Sequence, residues 1–335
     1  MSGSGLPPLA PWQQRTLAQA GEALAGGRFG HATLIVGAAR SGKRLLAEHL
    51  AQRVLCQAPG AGGAACGTCK SCRLFAVRAQ PDPPPLRPDG SLAHPWGLSP
   101  HPDLLLLGHE LAPSTGKPRA EIVIEQVRAI GEKLGLTAQL GRAQVVIVDP
   151  ADAVNWSAWN ALLKTLEEPL PGRYLWLLAA ESARLPATIR SRCQRLDLAQ
   201  PARAESLAWL RAQGHAAAAA TEALEAARGH PGLAAAWLAG DGLALRREVA
   251  RDAEALQQGR VGPAALAWRW AGDGRAEERL WHLAELARAQ AAGLTDPAGI
   301  RTLAARFDAA NRAREALRST LRAELALTEA LAAWT

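Results

Sequence analysis

The segment Gly37-Ala-Ala-Arg-Ser-Gly-Lys-Arg44 constrains this chain more than any other. It matches G-x-x-x-x-G-K, a glycine-rich turn whose backbone N–H groups wrap a phosphate only when a buried strand precedes it and a helix follows. The setting is right. His31–Val36 is a short apolar run with β-branched residues, suited to a parallel strand covered on both faces. Leu45–Leu55 follows as a helix with Leu46, Leu50 and Val54 on one side. Gly37, Gly42 and Lys43 are the candidate nucleotide-binding residues. The next position should carry a Ser or Thr hydroxyl to hold Mg²⁺, and Arg44 stands there instead. The expectation is a nucleotide-binding scaffold that has lost its chemistry.

Strand and helix signals alternate over the first two hundred residues. Trp12–Ala25 reads as a helix stopped by Gly26-Gly27. Asp103–Leu107, Val145–Asp149, Tyr174–Ala179 and Arg195–Leu198 read as further strands, and Ile122–Leu134 and Trp156–Leu166 as helices. This alternation predicts an α/β fold, a parallel sheet with flanking helices. The prolines crowding residues 80–102 exclude helix and central strand, and predict an extended, mobile surface insertion.

After Pro201 the strand signals stop. Residues 203–240 read as short helices broken at Gly214 and at Gly229-His-Pro-Gly232. Residues 242–335 read as longer amphipathic helices, the last carrying Leu317, Leu321, Leu325 and Leu331 at near-helical spacing. Periodicity leaves open whether these apolar faces are core or subunit contact. Trp237, Trp268, Trp270, Trp281 and Trp334 are expected in the core.

A chain of 335 residues has room for two or three domains. Its net charge of +7 is compatible with nucleic acid nearby, but Arg far outnumbers Lys and Ala is abundant, which GC-rich coding explains without a partner. No stretch reads as a membrane span and the N-terminus lacks a signal-peptide pattern, so a cytoplasmic setting is expected, with reduced cysteines and no membrane partner.

Two further sites carry chemistry. Asp149 ends an apolar strand downstream of the glycine-rich loop, where a Walker B acid reaches Mg²⁺. Its alternative is to cap a helix opened by Pro150 and Ala151. Cys56, Cys66, Cys69 and Cys72 have the spacing C-x9-C-x2-C-x2-C, which suits a tetrahedral Zn²⁺. Four thiolates leave no open position, so the metal is structural. Cys193 is too distant in sequence to be assumed a ligand.

In their order these motifs resemble the bacterial clamp-loader AAA+ subunits: the loop, the four-cysteine module after its helix, His101-Pro-Asp103, Asn160-Ala-Leu-Leu-Lys-Thr-Leu-Glu-Glu-Pro169 and Ser191-Arg-Cys193. The likeness is strong from about Gly30 to Pro201 and weak beyond. It implies a RecA-like AAA+ domain over residues 1–200, holding the zinc module (56–72) and the Pro-rich insertion (80–102). A helical lid (201–241) and a helical collar that packs on other subunits (242–335) would follow.

The departures from the active pattern point to the stator branch of that family rather than its ATP-hydrolysing gamma/tau branch, which stays as the alternative. Arg44 replaces the hydroxyl and Pro150 the catalytic acid. Ala180 falls near a polar sensor position, and Gly229–Gly232 offers no sensor arginine. Arg192 is retained, and the resemblance makes it an arginine finger acting in trans on a neighbour's ATP. The implied partners are delta and gamma/tau subunits in a hetero-oligomeric ring and, through that ring, the sliding clamp and primer–template DNA. The ring serves a DNA-directed DNA polymerase holoenzyme, a nucleotidyltransferase. The implied cofactors are structural Zn²⁺ and an ATP that is bound without being hydrolysed.

Overall fold

Four apolar runs of the chain and one polar edge segment form a single sheet. In the computed structural model, described for residues 5–86, 92–94, 97–112, 116, 119–141, 143–317 and 321–335, five strands pair in parallel. They are β1 (Ala32–Val36), β2 (Leu104–Leu107), β3 (Gln144–Val148), β4 (Arg173–Ala179) and β5 (Gln194–Asp197), in the order β2-β3-β4-β1-β5. Every residue of β3 is buried, as a central parallel strand requires. In register, Leu107 lies beside Val148 and Val36 beside Ala179, so the loops after β1, β3 and β4 leave from one edge of the sheet. That edge, beyond the carboxyl ends of the strands, is where open α/β sheets bind ligands.

Helices cover the sheet. They are α1 (Pro11–Ala25), α2 (Lys43–Leu55), α3 (Lys70–Ala76), α4 (Ile124–Leu134), α5 (Trp156–Glu167) and the single turn α6 (Ala187–Arg190). One face of the sheet packs Leu34, Val146, Val148 and Leu177 against Val127, Ile130 and Leu134 of α4 and Trp159, Leu162 and Leu166 of α5. The α4 helix starts two residues later than the apolar pattern suggests. Ile122 is held as extended chain, bridged to Val154, and Val123 becomes the N-cap. This is the parallel α/β sheet with flanking helices expected from the sequence.

The described part of the Pro-rich insertion folds back on itself through bridges Ala79–Leu98 and Leu86–Leu92, and buries Ala93 and His94. Residues 79–84 and 86 are exposed and carry no helix, as a surface insertion should; residues 87–91 and 95–96, with Pro88 and Pro95, lie outside the described residues.

The chain divides near residue 205 into two units. The second is all helical: α7 (Arg203–Ala212, straddling the division), α8 (Ala217–Ala226), α9 (Pro231–Ala239), α10 (Gly242–Gln257), α11 (Pro263–Ala271), α12 (Ala276–Ala291), α13 (Pro297–Ala316) and α14 (Ala323–Ala332). It has two apolar centres. One joins Leu210, Leu224, Leu233 and Trp237; the other joins Leu256, Trp270, Leu280, Leu327 and Trp334.

Two expectations fail here. Leu317, Leu321, Leu325 and Leu331 do not lie on one helix: α13 stops at Ala316, and α14 starts at Ala323 and holds only Leu325 and Leu331, of which Leu331 is buried while Leu325 is 58% exposed. Trp268 is 64% exposed, since α11 turns Leu266, Ala267 and Trp270 inward and leaves it on the outer side. Among the described residues no helix is long and apolar enough to cross a membrane.

Candidate functional site

The glycine-rich loop sits between β1 and α2, as its sequence requires. Gly42 has φ +85°, a backbone state that disfavours any side chain, and a Cβ there would collide with the amide of Gln13. That amide donates to the Ser41 carbonyl at 2.9 Å, while the Gln13 carbonyl accepts from Ala10 N–H at 2.8 Å. The start of α1 is thereby tied to the loop. Lys43 folds back on the turn, and its Nζ donates to the Gly37 and Ala38 carbonyls at 2.8 Å each.

Arg44, which stands where the loop pattern has a hydroxyl, is tied to two carboxylates. Its Nε donates to Glu48 Oε1 at 2.7 Å, one helical turn along α2, and its Nη1 lies 3.5 Å from Asp149 Oδ2. Arg78 Nη2 meets the other oxygen of Glu48 at 2.6 Å. The Arg44 and Glu48 side chains are only 10% and 1% exposed. Two cations and two anions thus form a neutral, largely buried cluster. Adding Mg²⁺ beside a guanidinium would cost several kcal/mol, since unit charges 4 Å apart repel by about 4 kcal/mol at an effective dielectric of 20.

Asp149 therefore reaches toward the loop, where a Walker B acid belongs, but its counter-ion is Arg44. It does not cap the turn that follows, because Pro150 occupies the N-cap of the short 3₁₀ turn at Ala151–Ala153. Asp152 has a role the sequence did not reveal: its Oδ2 accepts the N–H groups of Ala180 and Glu181 at 3.1 and 3.0 Å, fixing the chain after β4.

The four cysteines converge. Cys56 ends α2 and Cys69 caps α3, and all four sulfurs lie within 4.8 Å of one another. Zn–S bonds of about 2.3 Å in a tetrahedron place sulfurs about 3.8 Å apart, and Cys56–Cys69 and Cys66–Cys72 are each 4.0 Å. Backbone N–H groups aim at the sulfurs: Cys66 N to Cys56 at 3.3 Å, Cys69 N to Cys66 at 3.3 Å and Cys72 N to Cys69 at 3.4 Å. Such donors favour thiolates, and those of Thr68 and Cys69 bring the Cys66 thiol down to about 6. The donor set fits a metal ion. Cys193 is excluded from it, being packed against the sheet core, where burial pushes its thiol up to about 11.

The His101-Pro-Asp103 motif fastens this module to the sheet. Asp103 N–H donates to His101 Nδ1, so Nε2 carries the proton and donates to Ser71 Oγ at 2.8 Å; Ser71 in turn donates to the Leu55 carbonyl at 2.6 Å. The Asp103 carboxylate accepts Gln139 and Leu140 N–H at 2.7 and 2.8 Å.

Arg192 follows α6, on a turn held by the fully buried Ile189. Its side chain is 38% exposed; Nη1 donates to the Thr188 carbonyl at 2.9 Å and Nη2 meets Glu167 Oε1 at 2.7 Å. The Gly229–Gly232 turn holds no arginine, and the preceding Arg228 is engaged within the helical unit by Glu285 and the Trp281 ring.

Residues 12–202 match the family model described as DNA polymerase III, delta subunit. The chain belongs to that family. Its relatives include the DNA polymerase III subunits delta-prime of Pseudomonas aeruginosa (38% identical, 78% of this chain and 70% of the relative), Haemophilus influenzae (35%, 61% and 54%) and Escherichia coli (34%, 69% and 61%). The match thus spans between about half and seven-tenths of these relatives' lengths.

Proposed function

We propose that this chain is the delta-prime-type stator of a DNA polymerase III clamp loader, a subunit that does not hydrolyse ATP. The observation that carries the reading is the Arg44 guanidinium, which stands where the loop pattern has its Mg²⁺-binding hydroxyl and joins Asp149 and Glu48. Pro150 supplies no base beside Asp149. Gly37, Gly42 and Lys43 remain able to accept phosphate if Lys43 leaves its carbonyls, so ATP could be held but not turned over.

The active contribution is made in trans. Arg192 would extend toward the ATP of an adjacent gamma/tau subunit and stabilise charge on the transferring phosphoryl group, an effect worth roughly 10³–10⁵ in rate for arginine fingers. Zn²⁺ at Cys56, Cys66, Cys69 and Cys72 would stiffen the module. Residues 1–200 form the AAA+ domain, 201–241 the lid and 242–335 the collar that joins the ring. The ring would load the sliding clamp on primer–template DNA, with this chain's basic surface near the DNA path.

The test is ATP turnover by the isolated chain with Mg²⁺. The expected result is none above the blank, unchanged by Lys43→Ala. Turnover abolished by Lys43→Ala would instead make the chain a gamma/tau-like motor.

A further inference from the structure

Glu167 is unexplained by the reading above. It is the last residue of α5, where the carbonyl end of a helix disfavours a negative charge, so it does nothing for its own helix. Its carboxylate instead meets Arg192 Nη2 at 2.7 Å across the gap between α5 and the turn after α6. Both ends of this pair stand on fixed ground. The buried Leu162 and Leu166 pin α5, and His31 Nε2 bonds the Leu166 carbonyl at 3.0 Å. On the other side Ile189 is fully buried, and Arg192 N–H and Cys193 N–H bond back to the Ile189 and Arg190 carbonyls.

We propose that Glu167 is the positioning residue for Arg192. The Thr188 carbonyl accepts from Nη1 while the Glu167 carboxylate holds Nη2 as an ion pair at 2.7 Å, and the guanidinium keeps further donors for a neighbour's phosphate. An unanchored arginine at 38% exposure would sample many rotamers and lose that freedom on engaging the nucleotide. Anchoring makes that ordering part of folding, which is the preorganisation a finger needs. The contact is an ion pair, so its hold depends on the carboxylate charge as well as on where the two side chains stand.

This inference rests on the proposed trans role of Arg192, and the experiment separates the two. A clamp loader is assembled from this chain with its own delta and gamma/tau partners. Its ATPase is measured for wild type, Arg192→Ala, Glu167→Ala, Glu167→Gln and the Glu167→Ala/Arg192→Ala double variant, with assembly checked by gel filtration. Glu167→Ala is expected to lower kcat about threefold to tenfold with the nucleotide KM unchanged. Glu167→Gln, which keeps the shape but loses the charge, should fall between wild type and Glu167→Ala, and the double variant should be no slower than Arg192→Ala. If Arg192→Ala slows the ring but Glu167→Ala leaves it unchanged or faster, the positioning role is overturned while the finger survives. If Arg192→Ala itself changes nothing in an intact ring, both fall.

Discussion

Replacing Arg44 by Thr would supply the hydroxyl of an active phosphate-binding loop and remove the cation that pairs with Glu48 and Asp149. Deleting one partner of a buried ion pair costs about 3–5 kcal/mol when the other is left uncompensated. Here the loss is smaller, because Glu48 keeps Arg78 at 2.6 Å and the Arg44–Asp149 separation is a long 3.5 Å. We expect Arg44→Thr to cost about 2–3 kcal/mol, since only part of that buried-pair penalty applies. For a unit of this size that lowers Tm by about 5–10 °C. The assay is thermal unfolding of wild type and variant, each with and without ADP, Mg²⁺ or both. Wild type should show no Mg²⁺-dependent gain from nucleotide. Arg44→Thr should recover part of its loss only when both are present, since binding to the native state raises stability by mass action. A variant melting within about 1 °C of wild type would refute the claim that the cluster holds α2 to the chain after β3. Mg²⁺-dependent stabilisation of wild type by nucleotide would refute the claim that Arg44 keeps Mg²⁺ out of the loop.

Two other perturbations bear on parts of the account outside the loop. The cysteine module should carry one tightly held zinc per chain by elemental analysis, and a strong chelator or Cys72→Ser should destabilise it, by an amount on the order of 10 kcal/mol for a zinc-dependent segment; a metal-free chain with unchanged protease resistance would contradict the assignment. In the helical unit His282 is fully buried against Trp237, and burial, with Arg246 and Arg275 nearby, brings its imidazole down to about 3. A group charged in the unfolded chain below about 6.5 but neutral in the fold contributes stability that is complete above that pH and is lost as pH falls toward 3. Unfolding at pH 7 and pH 4.5 should therefore show a loss of about 1–3 kcal/mol that His282→Leu removes, and an unchanged loss in the variant would place the sensitivity elsewhere.

Much of the sheet was legible because its strands are buried on both faces and read as unbroken apolar runs, Val145–Val148 most clearly. The loop and the cysteines were legible for a related reason: their chemistry depends on residues close together in sequence. What escaped was the identity of long-range partners. Arg44 could be seen as a missing hydroxyl, but its ties to Asp149 and Arg78 depend on how α2, β3 and the chain after α3 meet. Asp149 does not cap the turn after it, because Pro150 holds the cap position, a detail the string Asp-Pro-Ala leaves open. Glu167 lay inside a recognised block with no role that spacing could assign. The leucine pattern from Leu317 to Leu331 misled because near-helical spacing across a helix break is the same string of letters as one continuous helix.

The central claim is that this chain's contribution to ATP hydrolysis is made in a neighbour's site. It is tested most directly by the ATPase of a clamp loader reconstituted with its own partner subunits, sliding clamp and primed DNA, comparing wild type with Arg192→Ala in this chain alone. The account predicts a slower ring of unchanged subunit composition. Equal turnover in an intact ring would contradict it.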